Sequence, residues 1–362
     1  MALTPSRAID VCTTREQLLE LGPSWDGLGT FLDAPFGSFE WALSGAETLV
    51  GDARLYIPVI REDRSPVALA PLVRQRGFFA VARQLGVEDH GEPGDFNYRD
   101  ADSLERLARV LAARHVPIVL ARTPEDSPLL AALVRAYRRR GLVLLRPQPG
   151  CPFIEIEADA DRTTASLSSR LRSDLRRATR KAEEIAPVAF EMHEPSNEAD
   201  LAPLWAEFLK VEAAGWKGRR ETALGADQRL GSFYRTYAGR ACARGTLRIL
   251  FLKVGPDTAA AMIALEAAER LWILKIGYDE RFATCSPGML LMHEGLRYAA
   301  RRGLRSYEFL GSSTDWTRRW TDRERPIQRA LIYPYTVRGA AILARNTAGH
   351  FARRLRNRLK GE

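Results

Sequence analysis

Three apolar runs stand in close succession in the second half of the chain: LRILFLKV from Leu247, AAAMIALEAAE from Ala259 and LWILKIGYD from Leu271. Gly255-Pro256-Asp257 separates the first two, which reads as a β-hairpin with a loop of about four or five residues. The third run stops at Tyr278-Asp279, and Ser286-Pro287-Gly288 then opens a helix over 287–302. Gly303 closes that helix, and SYEFLG supplies a further strand. Strands this apolar must be covered on their faces, so the pattern calls for a mixed sheet with helices packed on it.

Upstream, Leu167, Leu171, Leu175, Ala178, Ala182 and Ile185 recur at helical spacing across 165–186. Arg172, Arg176, Arg177 and Lys181 occupy the other face. Pro187 ends this helix, VAFEMHE reads as a strand, and Asn197 is placed to cap a helix that closes at Gly215. A further helix falls within 226–245. After the 165–186 helix, the second half therefore reads β, α, α, β, β, β, α, β. The first half repeats the theme more faintly: LYIPVIREDRSPVALAPLV as strand, turn and strand, HVPIVLA as a strand, SPLLAALVRAYRRRG as a helix and LVLLRPQ as a strand. Tyr137 to Leu142 echoes Ala300 to Leu304 at equivalent helix ends, which suggests an internal duplication. The fold expected is α/β with a mixed α+β sheet in two domains, 1–160 and 161–362, divided near the Pro/Gly-rich RPQPGCP. The last stretch, from Thr336, reads as a basic amphipathic helix or two short ones.

The chain has 362 residues, and its 54 Lys and Arg against 45 Asp and Glu leave a formal charge of +9. That favours acidic partners such as nucleotides, tRNA or a peripheral anionic membrane surface. No apolar stretch is long enough for a transmembrane segment, and the N-terminus lacks the apolar core of a secretory signal. Cys12, Cys151, Cys242 and Cys285 are scattered, which argues against a disulfide frame or zinc site and for a cytoplasmic location. The histidines at 90, 115, 193, 293 and 350 form no ligand cluster, so no metal is expected. Phosphate-loop, dinucleotide-binding, H-E-x-x-H and G-x-S-x-G signatures are all missing.

Ser286 suits a helix N-cap, and Pro287 at the first helical position sacrifices an N–H that has no helical partner. Gly288 lets a bulky group approach the backbone. The first-turn N–H groups, facing the space beyond the strand, could hold a phosphate without any cationic side chain.

The order of these elements, with Glu212-x-x-Gly215-Trp216-Lys217-Gly218, Gly277-Tyr278-Asp279, Ser286-Pro287-Gly288 and Gly311 after a strand, resembles the GNAT acyltransferase superfamily. The resemblance is to its CelD-like branch, related to the FemAB peptidyltransferases, and the motifs cover 165–325. LYIPVI…VALAPLV and CPFIEI resemble the degenerate first domain of such tandem chains. The family likeness implies an acyl donor, usually acyl-CoA, with its pyrophosphate at Ser286, Pro287, Gly288, Met289 and Leu290 and its thioester beside Ile276 and Gly277. Relatives often carry Lys between aromatic residues after the final glycine. Here the run is Asp315-Trp316-Thr317-Arg318-Arg319-Trp320, so Thr317 replaces that Lys, and Arg318 or Arg319 could substitute for its charge.

Acyl transfer to an amine needs a base, an oxyanion donor and an acid for the leaving thiolate. Glu212, Asp279 and Glu266 are the candidate bases, with Glu212 foremost because it ends a helix beside Gly215-Trp216-Lys217. A backbone N–H near Ile276–Gly277 suits the oxyanion, and Tyr278 suits the acid. Trp216, Lys217, Asp315, Trp316 and Arg318 are the expected substrate contacts, and Lys275 could serve phosphate contact or ordinary surface charge. The expected reaction is N-acylation of an amine, such as an amino sugar, an envelope glycan or a small metabolite. Two alternatives keep the fold: an aminoacyl-tRNA-dependent transferase of FemAB type, and a non-catalytic subunit of a polysaccharide-synthesis complex.

Overall fold

The computed structural model describes residues 9–31, 33–157, 159–215, 224 and 227–359, with side chains up to residue 348. The chain divides into two compact units, residues 1–148 with 326–362, and residues 149–325.

The first unit begins with β1 (Ile9–Cys12), α1 (Arg15–Trp25), α2 (Phe39–Thr48), β2 (Arg54–Glu62), β3 (Ser65–Leu69), β4 (Leu72–Arg74) and β5 (Ala82–Gln84). It continues with α3 (Val87–His90), β6 (Asn97–Tyr98), α4 (Ala101–Ala113), β7 (Ile118–Pro124) and α5 (Pro128–Tyr137). Helix starts follow side-chain chemistry: Thr14 and Asp100 form capping boxes, and the Ser127 hydroxyl accepts from the Leu129 N–H at 3.1 Å. Alternation in β2 splits the core between its faces. Ile57 and Val59 pack with Leu18, Leu21 and Trp25 of α1. Ile60 packs with the cluster that holds Leu104, Leu107 and Leu111 of α4 and Leu129 and Leu133 of α5.

β8 (Gly141–Glu155) comes next and is a single strand. The second unit then contains α6 (Ala160–Ser166), α7 (Ser169–Glu183), β9 (Val188–His193), α8 (Glu198–Ala213), α9 (Gln228–Ala243), β10 (Leu247–Val254), β11 (Asp257–Ala267), β12 (Arg270–Tyr278), α10 (Pro287–Arg301) and β13 (Ser306–Glu308). Its sheet runs β8-β13-β12-β11-β10-β9. Antiparallel pairing holds throughout except between β12 and β13, which are parallel. Leu171, Leu175 and Ala178 of α7 and Leu291 and Leu296 of α10 share a core with Leu250, Met262 and Leu271 of the strands. The alternate residues Ile249, Phe251 and Ile263 are buried too, and α8 and α9 touch these strands.

The chain ends with β14 (Glu324–Pro334) and α11 (Val337–Leu359). β14 pairs with β7, with Leu331 opposite Val119 and Ile332 opposite Ile118. Its Ala330 and Ile332 join the core of the first unit.

The mixed α/β architecture agrees with the sequence reading; several boundaries differ. The expected division into 1–160 and 161–362 gives way to one at 148/149 with the C-terminal segment in the first unit, because β14 finds its hydrogen bonds on β7. RPQPGCP is not a linker but the middle of β8. CPFIEI, expected in the first domain, pairs with β13 through Phe153–Glu155 in the second unit. The β10–β11 turn is tighter than expected, since the strands end at Val254 and resume at Asp257. The helix expected over 165–186 is broken at Leu167, whose ψ is 150°, because the Ser168 hydroxyl accepts from the Leu171 N–H at 3.2 Å and starts α7 afresh. Ile185 is then outside the helix and exposed.

Candidate active site

The site arises from a splay between two parallel strands. β13 pairs with β12 only from Arg270 to Trp272, whereas β12 runs on to Tyr278. Leu310 and Gly311, at φ 61° and 56°, turn the chain away just beyond β13. Left-handed backbone at a leucine costs on the order of 1 kcal/mol and is retained here by burial of the side chain. A register shift between β11 and β12 at Ile263/Ala264 leaves Leu274 as an extra residue and re-aims the strand end. The gap so formed is a cavity of about 380 Å³.

Its walls are mostly apolar. Ile276, Gly277 and Tyr278 come from β12, Gly288, Met289 and Met292 from α10, Glu212 and Gly215 from the end of α8, and Trp316, Arg319 and Trp320 from the turn before β14. Glycines permit this convergence. A Cβ on Gly277 would lie 3.1 Å from Glu212 Cα, and one on Gly215 would lie 2.7 Å from the Tyr278 carbonyl oxygen. The strand end and the helix end therefore touch backbone to backbone. Trp316 and Trp320 both pack on Phe309, at 5.8 and 6.4 Å between ring centroids.

Two charged side chains line the cavity. Glu212 is 2% exposed, and its Oε2 accepts from the Leu224 N–H at 3.0 Å. No Lys or Arg stands within ion-pair distance of it among the described residues. Arg319 is half exposed and donates to Asp174 of α7 at 2.8 Å.

Residues 169–318 match a family model described as an acetyltransferase (GNAT) domain. This segment is a GNAT domain. No curated protein sequence matches the chain. Among solved structures, the DUF2156 C-terminal domain described as a lysylphosphatidylglycerol synthetase from Agrobacterium fabrum is similar at 10% identity, with 93% of this chain and 96% of that one covered and a TM-score of 0.55. L-PGS from Bacillus licheniformis gives 12%, 87%, 91% and 0.54, and FemX gives 11%, 89%, 96% and 0.53. Identities this low establish the fold alone. The shared fold extends over both units.

Within the GNAT domain, the cavity brings together Glu212, Ile276, Gly277, Tyr278, Gly288, Met289 and Trp316 from the sequence expectation. Trp216 and Lys217 lie outside the described residues. Asp279 is not in the wall. It caps the following turn through the Arg281 N–H at 2.9 Å and forms an ion pair with the Arg281 guanidinium at 2.7 Å. Burial pushes its pKa up, but the Arg281 contacts outweigh this and hold it below the usual carboxylate range. Glu266 is likewise occupied: Arg248 at 3.0 Å, Arg302 at 2.9 Å and the Tyr298 hydroxyl hold it. Asp315 and Arg318 pair with each other on the surface, outside the wall.

The helix start is also more specific than expected. Ser286 precedes α10 in left-handed backbone, φ 51°, and its side chain makes no capping bond. Its carbonyl instead accepts from Met289 at 3.0 Å and Leu290 at 3.3 Å. Leu290 is buried in the core, and of the first-turn residues Gly288 and Met289 line the cavity. Thr317 is 2% exposed and is consumed in its own turn, accepting from the Thr314 N–H at 2.8 Å. Sequence reasoning missed Met292 and Trp320 as wall residues. Met292 follows Met289 by one helical step, a spacing that could have revealed it.

Proposed function

We propose that the cavity transfers an acyl group from an acyl-CoA thioester to an amine, with Glu212 as the base. The observation that carries this reading is a buried carboxylate, without a cationic partner among the described residues, in the wall of an apolar cleft beside a splayed strand. The apolar wall of Ile276, Met289, Met292 and the two tryptophans suits the thioester arm and acyl chain. Arg319 and the Gly288 backbone supply the positive end for a phosphate.

The nitrogen of the acceptor attacks the thioester carbonyl, and the C–N bond forms as Glu212 takes its proton. The C–S bond then breaks, and the Tyr278 hydroxyl, whose ring lies against Gly288, protonates the departing thiolate. The products are an amide and a free thiol. The arginine partners of Asp279 and Glu266 favour Glu212 over either as the base.

Glu212→Gln keeps the acceptor for the Leu224 N–H and removes the base. Turnover should fall by about 10²–10⁴-fold while acetyl-CoA or a longer acyl-CoA still raises the melting temperature. Unchanged turnover would remove Glu212 from the chemistry, and no stabilisation by any acyl-CoA at saturation would remove the donor.

A second reading rests on α7. Arg176 and Lys181 are exposed on it and have no acidic partner among the described residues, while its Asp174 holds the cavity residue Arg319. A basic helix tied to the cavity wall suits the backbone of an aminoacyl-tRNA donor. Retention of aminoacylated tRNA that falls steeply with salt, and falls again in Arg176→Ala/Lys181→Ala, would favour this donor over CoA.

A further inference from the structure

A second cavity, of about 330 Å³, lies within the first unit and plays no part in the reading above. It sits on one face of the unit's sheet. Arg83 of β5 is level with Val119 of β7, which is level with Leu331 of β14, and Arg329 stands on the same face as Leu331 one alternate position away. Arg146 of β8 and Arg345 of α11 also line it, so four arginines share the cavity with the apolar residues Val119, Leu144 and Leu331.

Like charges are not gathered on a sheet face without cost, and little here offsets it. Glu88 is the acidic partner, paired with Arg83 and, more weakly at 3.9 Å, with Arg329. Arg345 lies over the Phe79 ring at 4.5 Å rather than on a carboxylate. Neither Arg146 nor Arg345 has an acidic partner among the described residues. Arg83 and Arg329 each also bury an Nε–H with no hydrogen-bond acceptor. Burying an unsatisfied guanidinium donor is costly, and the other N–H groups of these side chains can hold an anion by charge-assisted bonds.

We propose that this cavity is a second ligand site, for a phosphate ester whose anionic head sits among Arg83, Arg146, Arg329 and Arg345 and whose apolar portion lies on Val119 and Leu331. Planar guanidinium groups from separate elements suit the several oxygens of a phosphate or diphosphate better than a single carboxylate. The chemistry is shared by soluble phosphate esters and by phospholipid head groups.

Inorganic pyrophosphate is the soluble probe, read by calorimetry and by the shift in melting temperature of the full chain. Vesicles of phosphatidylglycerol, with phosphatidylcholine vesicles as control, are the lipid probe, read by co-sedimentation. Pyrophosphate binding should weaken at least tenfold in Arg329→Gln and in Arg146→Ala/Arg345→Ala, and should persist in Arg319→Ala, which alters the other cavity. Glu88→Gln removes the competing carboxylate and should tighten binding severalfold. Co-sedimentation with phosphatidylglycerol alone, lost in the same variants, would identify a lipid head group as the source. Arg146 and Arg345 are exposed, so their double variant carries the test even where Arg329→Gln does not fold. Binding of neither probe, or binding unchanged in the arginine variants, overturns the proposal.

Discussion

Asp95 is buried in the first unit, where its carboxylate accepts from the Phe96 N–H at 2.7 Å, the Ser127 hydroxyl at 3.0 Å and the Phe31 N–H at 3.2 Å. Burial dominates these bonds and raises its pKa from 3.8 to about 6. The folded protein therefore binds this proton more tightly than the unfolded chain. The stabilisation is fully present below about pH 4 and is lost as pH rises through about 6. At about 1.4 kcal/mol per pH unit, the loss is on the order of 3 kcal/mol. Asp95→Asn stays neutral, so its stability relative to the parent should improve by up to that amount between about pH 4 and pH 7. Denaturant melts of both proteins across this range check it; parallel pH profiles would mean that Asp95 does not carry the shift. Glu212 is buried as deeply but lines the cavity of the second unit, whereas Asp95 lies in the interior of the first.

At the scale of elements, helix starts show what a motif alone conveys. Asn197 and Ser286 both occupy cap positions, but only the Asn197 side chain works as one, accepting from the Asp200 N–H at 3.0 Å. Asn197→Ala should cost about 1 kcal/mol, whereas Ser286→Ala should cost less than about 0.5 kcal/mol. Equal losses in denaturant unfolding would show that Ser286 caps α10 in solution. The same contrast explains which elements could be read from the sequence. α8, α10 and the meander β10–β12 carry their period within their own residues, so their positions follow from local pattern. β14 and the middle of β8 do not. PIQRALIYP and RPQPGCP contain prolines and arginines that resemble a loop, and they are strands because distant segments supply partners. In the cavity, Glu212, Gly277, Tyr278 and Gly288 were legible because each ends or begins an element that patterns well. Arg319 and Trp320 sit in a short turn, and the pairing of Arg319 with Asp174 is a tertiary fact with no sequence period behind it.

For the whole molecule, the placement of the C-terminal segment sets what each unit needs in order to fold. Ile327, Leu331, Ile332, Tyr333 and Ile342 are buried, and all belong to the first unit. A large apolar side chain contributes roughly 1.5–3 kcal/mol when fully buried, so this set matches the entire net stability of a typical domain, about 5–15 kcal/mol. β14 also covers one edge of β7, which would otherwise lose its partner on that edge between Ile118 and Pro124. A chain ending at Arg325 should therefore keep every residue of the second unit and lose the first. Limited proteolysis followed by mass mapping should show residues 1–148 cleaved at protease levels that leave 149–325 intact, whereas the full chain resists in both. Were the domains divided as 1–160 and 161–362, the opposite would hold: residues 1–160 would survive the deletion and the C-terminal domain would fail. Survival of an intact 1–148 fragment in the truncated chain would therefore restore that division and would make β14 dispensable to the first unit's core.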